Sequence, residues 1–372
     1  MNPKHLHIIT FDVPYPPSYG GVIDVYFKIK ELHAQGVRVH LHCFEYGRAI
    51  AYQLNEICES VNYYKRKKGL RYMFSLFPYI AVTRSSEELI QNLLKDDYPI
   101  LFEGLHCCYH INDSRLKSRK KIVRSHNIEH DYYSSLAKVE KKMFKKVYFN
   151  NEAGKLKRFE SVLNKADHIL AISPADTKYL SQKYNHVIQV PAFHPDEKVV
   201  IEPGKGNFAF YHGNLEIAEN IEAALFLINK VFNGIHVPLI IAGKNPPAFL
   251  IDAAKRYSNI ELRANIPTEE IYKLVKDAQI NVLPTFQSTG IKLKLLTSLF
   301  NGRYCIVNPP MVDGTELRNL CVVCDSAADM KKEVIRLFDL PFDTAEILRR
   351  ENVLLEKFSN SINAKKITEL FR

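Results

Sequence analysis

The sequence has no tryptophan, only 15 glycines and no long apolar run among its 372 residues. Its longest uncharged run with membrane character, YMFSLFPYIAVT at 72–83, has 12 residues, fewer than the roughly 20 of a spanning helix. The opening MNPKHLHIITF is too poor in apolar residues for a signal peptide. The seven cysteines are an odd number in scattered contexts, which favours a reducing compartment. We therefore expect a soluble or peripheral cytoplasmic protein.

Two motifs are also missing, and a third is incomplete. No Gly-x-Gly-x-x-Gly follows the first strand-like run, which disfavours a dinucleotide-dependent oxidoreductase. No Asp-x-Asp occurs, so no motif for bridging a metal to a diphosphate is present, and we predict neither a metal nor a cofactor. Cys321 and Cys324 form a Cys-x-x-Cys in an apolar run without a second Cys or His pair, which favours buried thiols over zinc or redox chemistry.

The positive charge is confined to the first half of the chain. Residues 1–195 hold 29 Lys and Arg against 19 Asp and Glu, an excess of ten, whereas the remainder holds 22 of each. Nucleic acid is disfavoured because no recognised binding module accompanies the charge. An anionic membrane surface is the favoured partner, since each basic residue near such a surface contributes about 1 kcal/mol.

Basic clusters carry that excess. They are KRKKGLR at 65–71, RLKSRKKIVR at 115–124, and Lys138, Lys141, Lys142, Lys145 and Lys146. On one helix the last five lie on one side, with Val139, Met143, Phe144 and Val147 toward the other, which is typical of an interfacial helix. The alternative is a solvated basic face on a core helix.

The length predicts two domains, because single cores usually stop growing at about 250 to 300 residues. Pro191 and Pro195 mark a linker, so we place one domain at 1–192 and another at 193–355, followed by a helical segment at 356–372. Strand-like runs alternate with helical periodicity, which indicates doubly wound α/β domains with parallel sheets. Predicted strands are HLHIITF, VRVHLHCF, PILFEGL, KKIVRSHN and DHILAIS, then NFAFYHGN, VPLIIAGK, NIELRAN, QINVLPT, RYCIVNP and CVVCD.

Ligands of such sheets bind at the carboxyl ends of the strands, and two facing domains would place these ends on either side of one cleft. In the second domain we predict helices starting near Asn220, Ala248, Pro267, Gly290, Gly314 and Ala328. Residues that follow predicted strands are Gly20, Gly21, His126, Gly213, Asn214, Lys244, Ser288, Thr289, Gly290, Ile291 and Lys292. The last five precede helical spacing, and the free N–H groups of a helix start suit a phosphate.

In their order, the motifs PPSYGG, HNIEHDYY, YHGNLEIAEN, IIAGKNP and STGIKLKLL resemble GT-B fold glycosyltransferases of the family 4 type. The resemblance covers nearly the whole chain. It implies a GT-B fold, an acceptor-binding first domain, a donor domain for a nucleotide diphosphate sugar, and a C-terminal helix that returns to the first domain. It also implies transfer with retention of anomeric configuration and without a metal.

The resemblance further implies roles for single residues. His126 matches the family histidine near the donor sugar, and Gly20 and Gly21 match the loop that faces the diphosphate. Donor-binding roles follow for Gly213, Asn214, Lys244, Ser288, Thr289, Gly290, Ile291, Lys292 and Thr297. The alternatives are a hydrogen-bonded structural histidine, a solvated Lys244 and a turn-capping Asn214.

The sequence departs from the family at two positions. Many relatives carry two glutamates eight residues apart, and Thr289 and Thr297 occupy these positions. A threonine hydroxyl cannot hold a ribose diol in the bidentate manner of a carboxylate. We therefore carry two hypotheses: a hexosyltransferase that acts on a glycan or lipid-linked glycan in polysaccharide biosynthesis at the cytoplasmic membrane face, and a catalytically silent GT-B protein that binds a nucleotide or a protein partner.

Overall fold

The computed structural model describes residues 4–140, 142–286 and 293–371. These residues form two compact units. Unit 1 extends to Pro195 and resumes at Phe358, and unit 2 extends from Asp196 to Lys357. The sequence placed the boundaries after residues 192 and 355. The predicted class, an α/β protein with two doubly wound domains, is confirmed.

Unit 1 contains a parallel sheet, with seven strands in the part of the chain described. The order β3-β2-β1-β4-β5-β6-β7 reverses direction between β1 and β4, so the crevice at their carboxyl ends is the position at which such sheets bind ligands. Strands β4 and β5 are buried throughout. The strands are β1 Lys4–Thr10, β2 Val37–Glu45, β3 Ser60–Lys65, β4 Ile100–Glu103, β5 Lys121–Ser125, β6 His168–Ala171 and β7 Val187–Gln189.

The α-helices of unit 1 are α1 Gly20–Ala34, α2 Tyr79–Val82, α3 Glu87–Leu93, α4 Glu129–Val139, α5 Met143–Phe159 and α6 Pro174–Ser181. Shorter 3₁₀ segments span Tyr52–Glu56, Leu70–Phe74, Leu105–His110, Ser114–Leu116 and Glu160–Lys165. The apolar spacing predicted for the first helix is confirmed, since Val22, Val25, Ile29 and Leu32 are buried. Ser173 caps α6 by accepting a hydrogen bond from the Asp176 amide.

Unit 2 repeats this architecture. Its described part contains a six-stranded parallel sheet in the order β10-β9-β8-β11-β12-β13, which reverses between β8 and β11. The strands are β8 Ala209–His212, β9 Leu239–Gly243, β10 Ile260–Ala264, β11 Ile280–Leu283, β12 Tyr304–Val307 and β13 Val322–Val323. The α-helices are α7 Ala218–Phe226, α8 Ala248–Lys255, α9 Thr268–Asp277, α10 Leu293–Asn301, α11 Pro309–Val312, α12 Ala327–Phe338 and α13 Thr344–Lys357. A π-helical turn at Leu227–Val231 continues α7, and a 3₁₀ turn spans Arg318–Leu320.

The last helix, α14 (Asn360–Glu369), belongs to unit 1. Its Ala364 and Ile367 are buried in the same apolar cluster as Val25 and Ile29 of α1. Lys4 at the start of β1 donates a 2.9 Å hydrogen bond to the Thr368 carbonyl. Unit 2 is therefore inserted in the chain between the main part of unit 1 and its last helix.

Two local predictions were wrong, and two strands were not predicted. The five lysines at 138–146 do not share one helix, because α4 ends at Val139 and α5 begins at Met143, with extended backbone at Glu140 and Lys142. No helix begins near Gly314, where the described backbone has a positive φ of 73° that interrupts helical geometry. Strands β3 and β7 were missed, because they lie at the two edges of the sheet and are only partly apolar.

A chain of polar side chains crosses one face of the first sheet. Asn92 Nδ2 donates to the Tyr64 hydroxyl, Tyr64 bonds to His42 Nδ1, and His42 Nε2 bonds to His7 Nδ1, each at 2.8 Å. His7 Nε2 lies 2.8 Å from the Asp96 carboxylate. If both rings are neutral, each donor meets an acceptor along the whole chain. Burial lowers the pKa of His7 to about 4, although Asp96 opposes this shift, and burial also lowers the pKa of His42.

All seven cysteines are free. The hydrogen bond that the Cys321 thiol donates to Cys305, together with burial, raises the pKa of Cys321, and burial raises the pKa of Cys324 to about 11, so neither thiol has the lowered pKa of a reactive cysteine. Within the described residues, no helix combines the length and apolar character needed to cross a bilayer.

Candidate functional site

His126 lies directly after β5, at the carboxyl edge of the first sheet. Its Nε2 is 2.8 Å from Glu103 Oε2 at the end of β4, and its Nδ1 is 3.9 Å from Asp24 Oδ2 in α1. Lys28 Nζ lies 2.7 Å from Glu103 and 3.0 Å from Asp24. Arg124 Nη2 lies 2.8 Å from Asp24 Oδ1. We call Asp24, Lys28, Glu103 and Arg124 the buried ion network. Its Glu103 bonds to the His126 ring.

The buried ion network is closed to solvent, because its four side chains are at most 2% exposed. Burial alone would raise the pKa of Asp24, but the charges of Arg124 and Lys28 keep it well below its usual range. Burial alone would raise the pKa of Glu103 as well. The charge of Lys28 and the hydrogen bond with His126 outweigh burial, so the pKa of Glu103 is lowered. The two negative charges of Asp24 and Glu103 therefore balance the two positive charges of Lys28 and Arg124. Glu103 as a carboxylate accepts from His126 Nε2–H and fixes the orientation of the ring.

Asp24, Glu103 and His126 are also the one group of acids and histidines in the described ranges that lies close enough to ligate a cation. However, Lys28 is within ion-pair distance of both carboxylates, and its ammonium already supplies the positive charge that a metal would bring. The arrangement therefore fits an ammonium-bridged network and not a metal centre.

Beside His126, further titratable groups line the same edge. Gly104 has a φ of 73°, which favours glycine, and a side chain there would come within 2.9 Å of His106 Nδ1. That nitrogen lies 3.8 Å from the buried Glu129 carboxylate at the start of α4. Burial raises the pKa of Glu129 to about 8, against the charge of Arg84, and burial lowers that of His106. Two largely neutral groups therefore adjoin the candidate catalytic histidine.

The predicted glycine loop is the start of a helix. Gly20 and Gly21 are the first residues of α1, and Tyr19 at the N-cap gives no side-chain hydrogen bond to the helix. A side chain at Gly21 would come within 2.7 Å of the Phe11 ring. The first turn of α1 has no acidic residue, so its amide groups and the helix dipole suit an anion.

In unit 2, the predicted Gly213 and Asn214 directly follow β8 at the switch point of the sheet. A side chain at Gly213 would come within 2.9 Å of Asn220. Asn214 Oδ1 accepts a 3.0 Å hydrogen bond from the Glu216 amide, which is the turn-capping geometry given above as the alternative. The Asn214 side-chain oxygen is thus engaged locally.

Lys244 follows β9 and is exposed. It is preceded by Gly243, where a side chain would come within 2.1 Å of the Gly213 carbonyl oxygen and therefore cannot be accommodated. This close approach brings the ends of β8 and β9 together. Lys244 and Gly213 accordingly share one edge of the second sheet.

Lys294, which the sequence did not single out, lies at the same switch point. Its Nζ donates a 2.9 Å hydrogen bond to Asn220 Oδ1 and lies 5.2 Å from the centre of the Tyr211 ring. Burial and the charge of Lys294 lower the pKa of His212 to about 3. The end of β8 therefore carries an ammonium group beside a neutral imidazole.

The predicted Ser288, Thr289, Gly290, Ile291 and Lys292 lie outside the described residues. Thr297 in α10 is 8% exposed. Its hydroxyl lies 3.4 Å from Asp196 Oδ2, and Asn301 Nδ2 donates a 2.7 Å hydrogen bond to the other oxygen of that carboxylate. Thr297 is thus embedded among hydrogen bonds within unit 2.

Sequence reasoning found His126 but missed the buried ion network. The available signals were the Asp24 to Lys28 spacing of one helical turn and the charges inside the apolar runs ILFE and IVRS. A buried charge in a parallel strand needs a partner. What the sequence could not supply was the pairing of β4 with β5, which brings Glu103 and Arg124 into register.

No family model matches the chain. A protein of Klebsiella pneumoniae named as an uncharacterized 44.6 kDa protein in a cps region is 26% identical over 332 residues, 83% of this chain and 84% of that protein. HepE of Anabaena, in complex with UDP and glucose, has a TM-score of 0.66 at 10% identity and 98% coverage of both chains. A glycosyltransferase of Rickettsia africae has a TM-score of 0.66 at 12% identity over 100% of this chain and 98% of that one. The resemblance stated from the motifs is confirmed at the level of the fold: this chain has the GT-B fold of glycosyltransferases.

Proposed function

We propose that this protein is a retaining glycosyltransferase that moves a hexose from a nucleotide diphosphate donor to a glycan or lipid-linked glycan acceptor. The observation that carries the proposal is His126, fixed by Glu103 and the buried ion network at the carboxyl edge of a GT-B fold. The UDP and glucose in HepE support a nucleotide-hexose donor. The cps region in the name of the Klebsiella relative supports polysaccharide biosynthesis.

The chemistry asks for groups that stabilise a departing diphosphate. As the sugar–phosphate bond breaks, negative charge grows on the diphosphate and the anomeric carbon becomes cationic, so fixed positive groups lower the barrier. In unit 2, Lys244 and Lys294 at the edge of the sheet suit that role, and in unit 1 the amide groups that begin α1 suit an anion. His126, whose orientation is set by Glu103, orients a sugar hydroxyl. These lysines and amides take the place of a metal in the proposal.

The decisive experiment measures release of nucleoside diphosphate from UDP-, GDP- and ADP-sugars. We expect turnover with one donor and a loss of about 100-fold or more in His126→Ala, the scale at which a positioned catalytic group contributes. Lys244→Ala should lose activity as well. Lys255→Ala is the matched control, because this exposed lysine ends α8 away from the strand ends. Equal turnover in all four proteins would refute the site.

A second candidate, a silent GT-B protein that binds nucleotide without transfer, is favoured by one observation. The buried Thr297, bonded toward Asp196, offers no carboxylate for a ribose diol. Under this alternative a nucleotide stabilises the protein against heat, by about 2.7 kcal/mol at 100 times its dissociation constant, but no nucleoside diphosphate is released. The proposed transferase shows both effects.

We propose the cytoplasmic membrane face as the site of action because of an exposed surface of unit 1. Leu70, Phe74 and Leu76 are 74%, 87% and 88% exposed, and Met143 and Phe144 are 72% and 93% exposed. The segment at 70–76 contacts the second half of α5, where Lys155 Nζ donates a 2.6 Å hydrogen bond to the Met73 carbonyl, and Met143 and Phe144 lie in the first turn of the same helix. Together they form what we call the apolar-basic surface, which also carries the exposed Lys65, Lys67, Lys68, Arg71, Lys142, Lys145 and Lys146.

An exposed apolar group rimmed by lysines is typical of an interfacial contact. Sedimentation with phosphatidylglycerol vesicles tests this proposal, with pure phosphatidylcholine vesicles for comparison. We expect binding to the anionic vesicles that weakens in Phe144→Ser. Phe249→Ser is the matched control, because Phe249 is 57% exposed but lies in unit 2. Negligible binding to both kinds of vesicle would remove the membrane proposal.

A further inference from the structure

Two arginines meet at the carboxyl edge of the first sheet without an acid between them. Arg66 follows β3, and Arg84 follows α2. The guanidinium carbon of Arg66 lies 4.1 Å from the centre of the Tyr46 ring, and that of Arg84 lies 5.8 Å from the same ring. We call these two residues the arginine pair. Within the described ranges, neither arginine is within ion-pair distance of a carboxylate.

Arg84 is held rigidly. It is 3% exposed. Its Nε and Nη2 donate to the Phe11 carbonyl at 3.0 and 2.9 Å, and its Nη1 donates to the Ile80 carbonyl at 2.7 Å. Three of its five N–H groups are used in this way, so these bonds fix the position of its charge beside Arg66. A buried cation satisfied only by carbonyl dipoles keeps its full charge.

Arg66 is held less tightly and keeps more donors. Its Nε donates to the Thr83 hydroxyl at 3.0 Å, which leaves both terminal nitrogens. The next residue, Lys67, is engaged elsewhere, since its Nζ lies 2.7 Å from the Ser85 hydroxyl. The Tyr79 ring lies 5.5 Å from the Arg66 guanidinium carbon, so aromatic faces border the cations.

The positive charge of this cluster is only partly compensated, because the buried Asp12 carboxylate acts on Arg84 from beyond ion-pair distance. Burial and the charge of Arg66 lower the pKa of Arg84 to about 10, so both guanidinium groups stay charged at neutral pH. The nearby Glu129 does not cancel them, because burial raises its pKa to about 8. Like charges brought together without a counter-ion repel each other, and a bound dianion would relieve that repulsion. Planar guanidinium groups match phosphate oxygens in pairs.

We propose that the arginine pair binds a phosphate or diphosphate carried by the acceptor substrate, with Tyr46 and Tyr79 against the adjoining part of that molecule. That the phosphate belongs to an acceptor substrate rests on the proposed function, whereas the binding of an anion by the arginine pair does not. It concerns unit 1 alone, whereas the lysines proposed above to bind the donor belong to unit 2. Two guanidinium groups with no carboxylate at ion-pair distance suit a group with two negative charges better than a single carboxylate.

The test titrates the full chain with inorganic pyrophosphate in a calorimeter. We expect Arg66→Gln to weaken one binding component about tenfold or more, since hydrogen bonds to a charged partner are worth roughly that factor each. Arg71→Gln is the matched control. It lies in the same basic run, is exposed, and stacks on its neighbour Tyr72 at 4.7 Å. Lys244→Ala should leave this component intact.

A second variant guards against misfolding. Tyr46 is 55% exposed, so Tyr46→Leu should fold and yet weaken the same component, while nucleotide-induced thermal stabilisation stays unchanged in both variants. Pyrophosphate binding that is equal in Arg66→Gln and Arg71→Gln would overturn the proposal. So would a loss of nucleotide binding in Arg66→Gln equal to its loss of pyrophosphate binding, because that assigns the arginine to the donor.

The source of the phosphate is resolved by a vesicle arm. Phosphatidylcholine vesicles that carry a polyprenyl diphosphate are compared with plain ones. If the protein binds the vesicles with polyprenyl diphosphate and Arg66→Gln does not, the ligand is a lipid-borne diphosphate. If the protein binds free pyrophosphate but neither kind of vesicle, the ligand is a soluble sugar phosphate. Failure of donor hydrolysis would refute the proposed function and leave this readout unaffected.

Discussion

The neutral histidine chain of unit 1 should make the protein sensitive to acid. His7 and His42 each use one ring nitrogen as an acceptor within the chain that ends on Asp96. Protonation of either ring turns that acceptor into a donor and places a charge in a buried site. Around His7 the charge of Asp96 favours protonation, while those of His40 and Arg119 oppose it. The net effect is a lowered pKa in the folded state.

The magnitude follows from linkage. The pKa of His7 falls from 6.5 to about 4 on folding, so the stability tied to the neutral ring is complete above pH 6.5 and is lost as the pH falls toward 4. At pH 5 the loss is about 2 kcal/mol for His7 alone, because each unit of pKa difference is worth about 1.4 kcal/mol. His42 adds to it in the same direction.

Urea unfolding followed by circular dichroism at pH 7.5 and pH 5 measures the loss, and hydrogen exchange locates it in β1 and β2. His7→Gln keeps a donor for Asp96 but does not titrate, so its stability should change less between the two pH values than that of the wild type. His5→Gln is the matched control, since His5 lies on the same strand and is only partly buried. Equal pH dependence in His7→Gln and the wild type would refute the reasoning.

Three further predictions concern single side chains. Glu103→Gln leaves the buried ion network one negative charge short, so the free energy of unfolding should fall by about 3 to 5 kcal/mol in a urea titration; a loss below about 1 kcal/mol would contradict the network. Gly243→Ala should lower the melting temperature, because its side chain would meet a carbonyl oxygen at 2.1 Å. Gly154→Ala, in the open middle of α5 with no atom in reach, should instead stabilise by about 0.5 to 1 kcal/mol. Thr297→Glu places a second carboxylate beside Asp196 in a buried position and should destabilise without tightening nucleotide binding; tighter binding would show that the residue faces the donor.

Much of the fold was readable because parallel strands are buried on both faces and appear as short apolar runs. The central strands were found for this reason, and the edge strands β3 and β7, with mixed composition, were not. The turn between α4 and α5 carries no glycine or proline in the letters VEKKMF. The two helices are instead packed side by side through contacts such as Tyr133 with Phe149, whose ring centres lie 6.0 Å apart, and local sequence does not encode such contacts.

The candidate site was readable only in part. His126 and Lys244 follow strands, and this position identified them. Glu103, Asp24 and Arg84 matter through partners that are distant in sequence, such as the 2.8 Å bond from Glu103 to His126. Position along a strand predicts which edge a residue occupies, but it does not predict which charges meet there.

The return of the chain to unit 1 has a consequence for biosynthesis. Because α14 covers part of the α1 face but follows unit 2 in the chain, a ribosome synthesises unit 2 before unit 1 has this layer. During that interval Val25 and Ile29 of the nascent first half are incompletely covered. Transiently exposed apolar surface of this kind is what chaperones bind. A frameshift in the codons of α14 would therefore damage unit 1, which precedes it by far in the chain, more than unit 2.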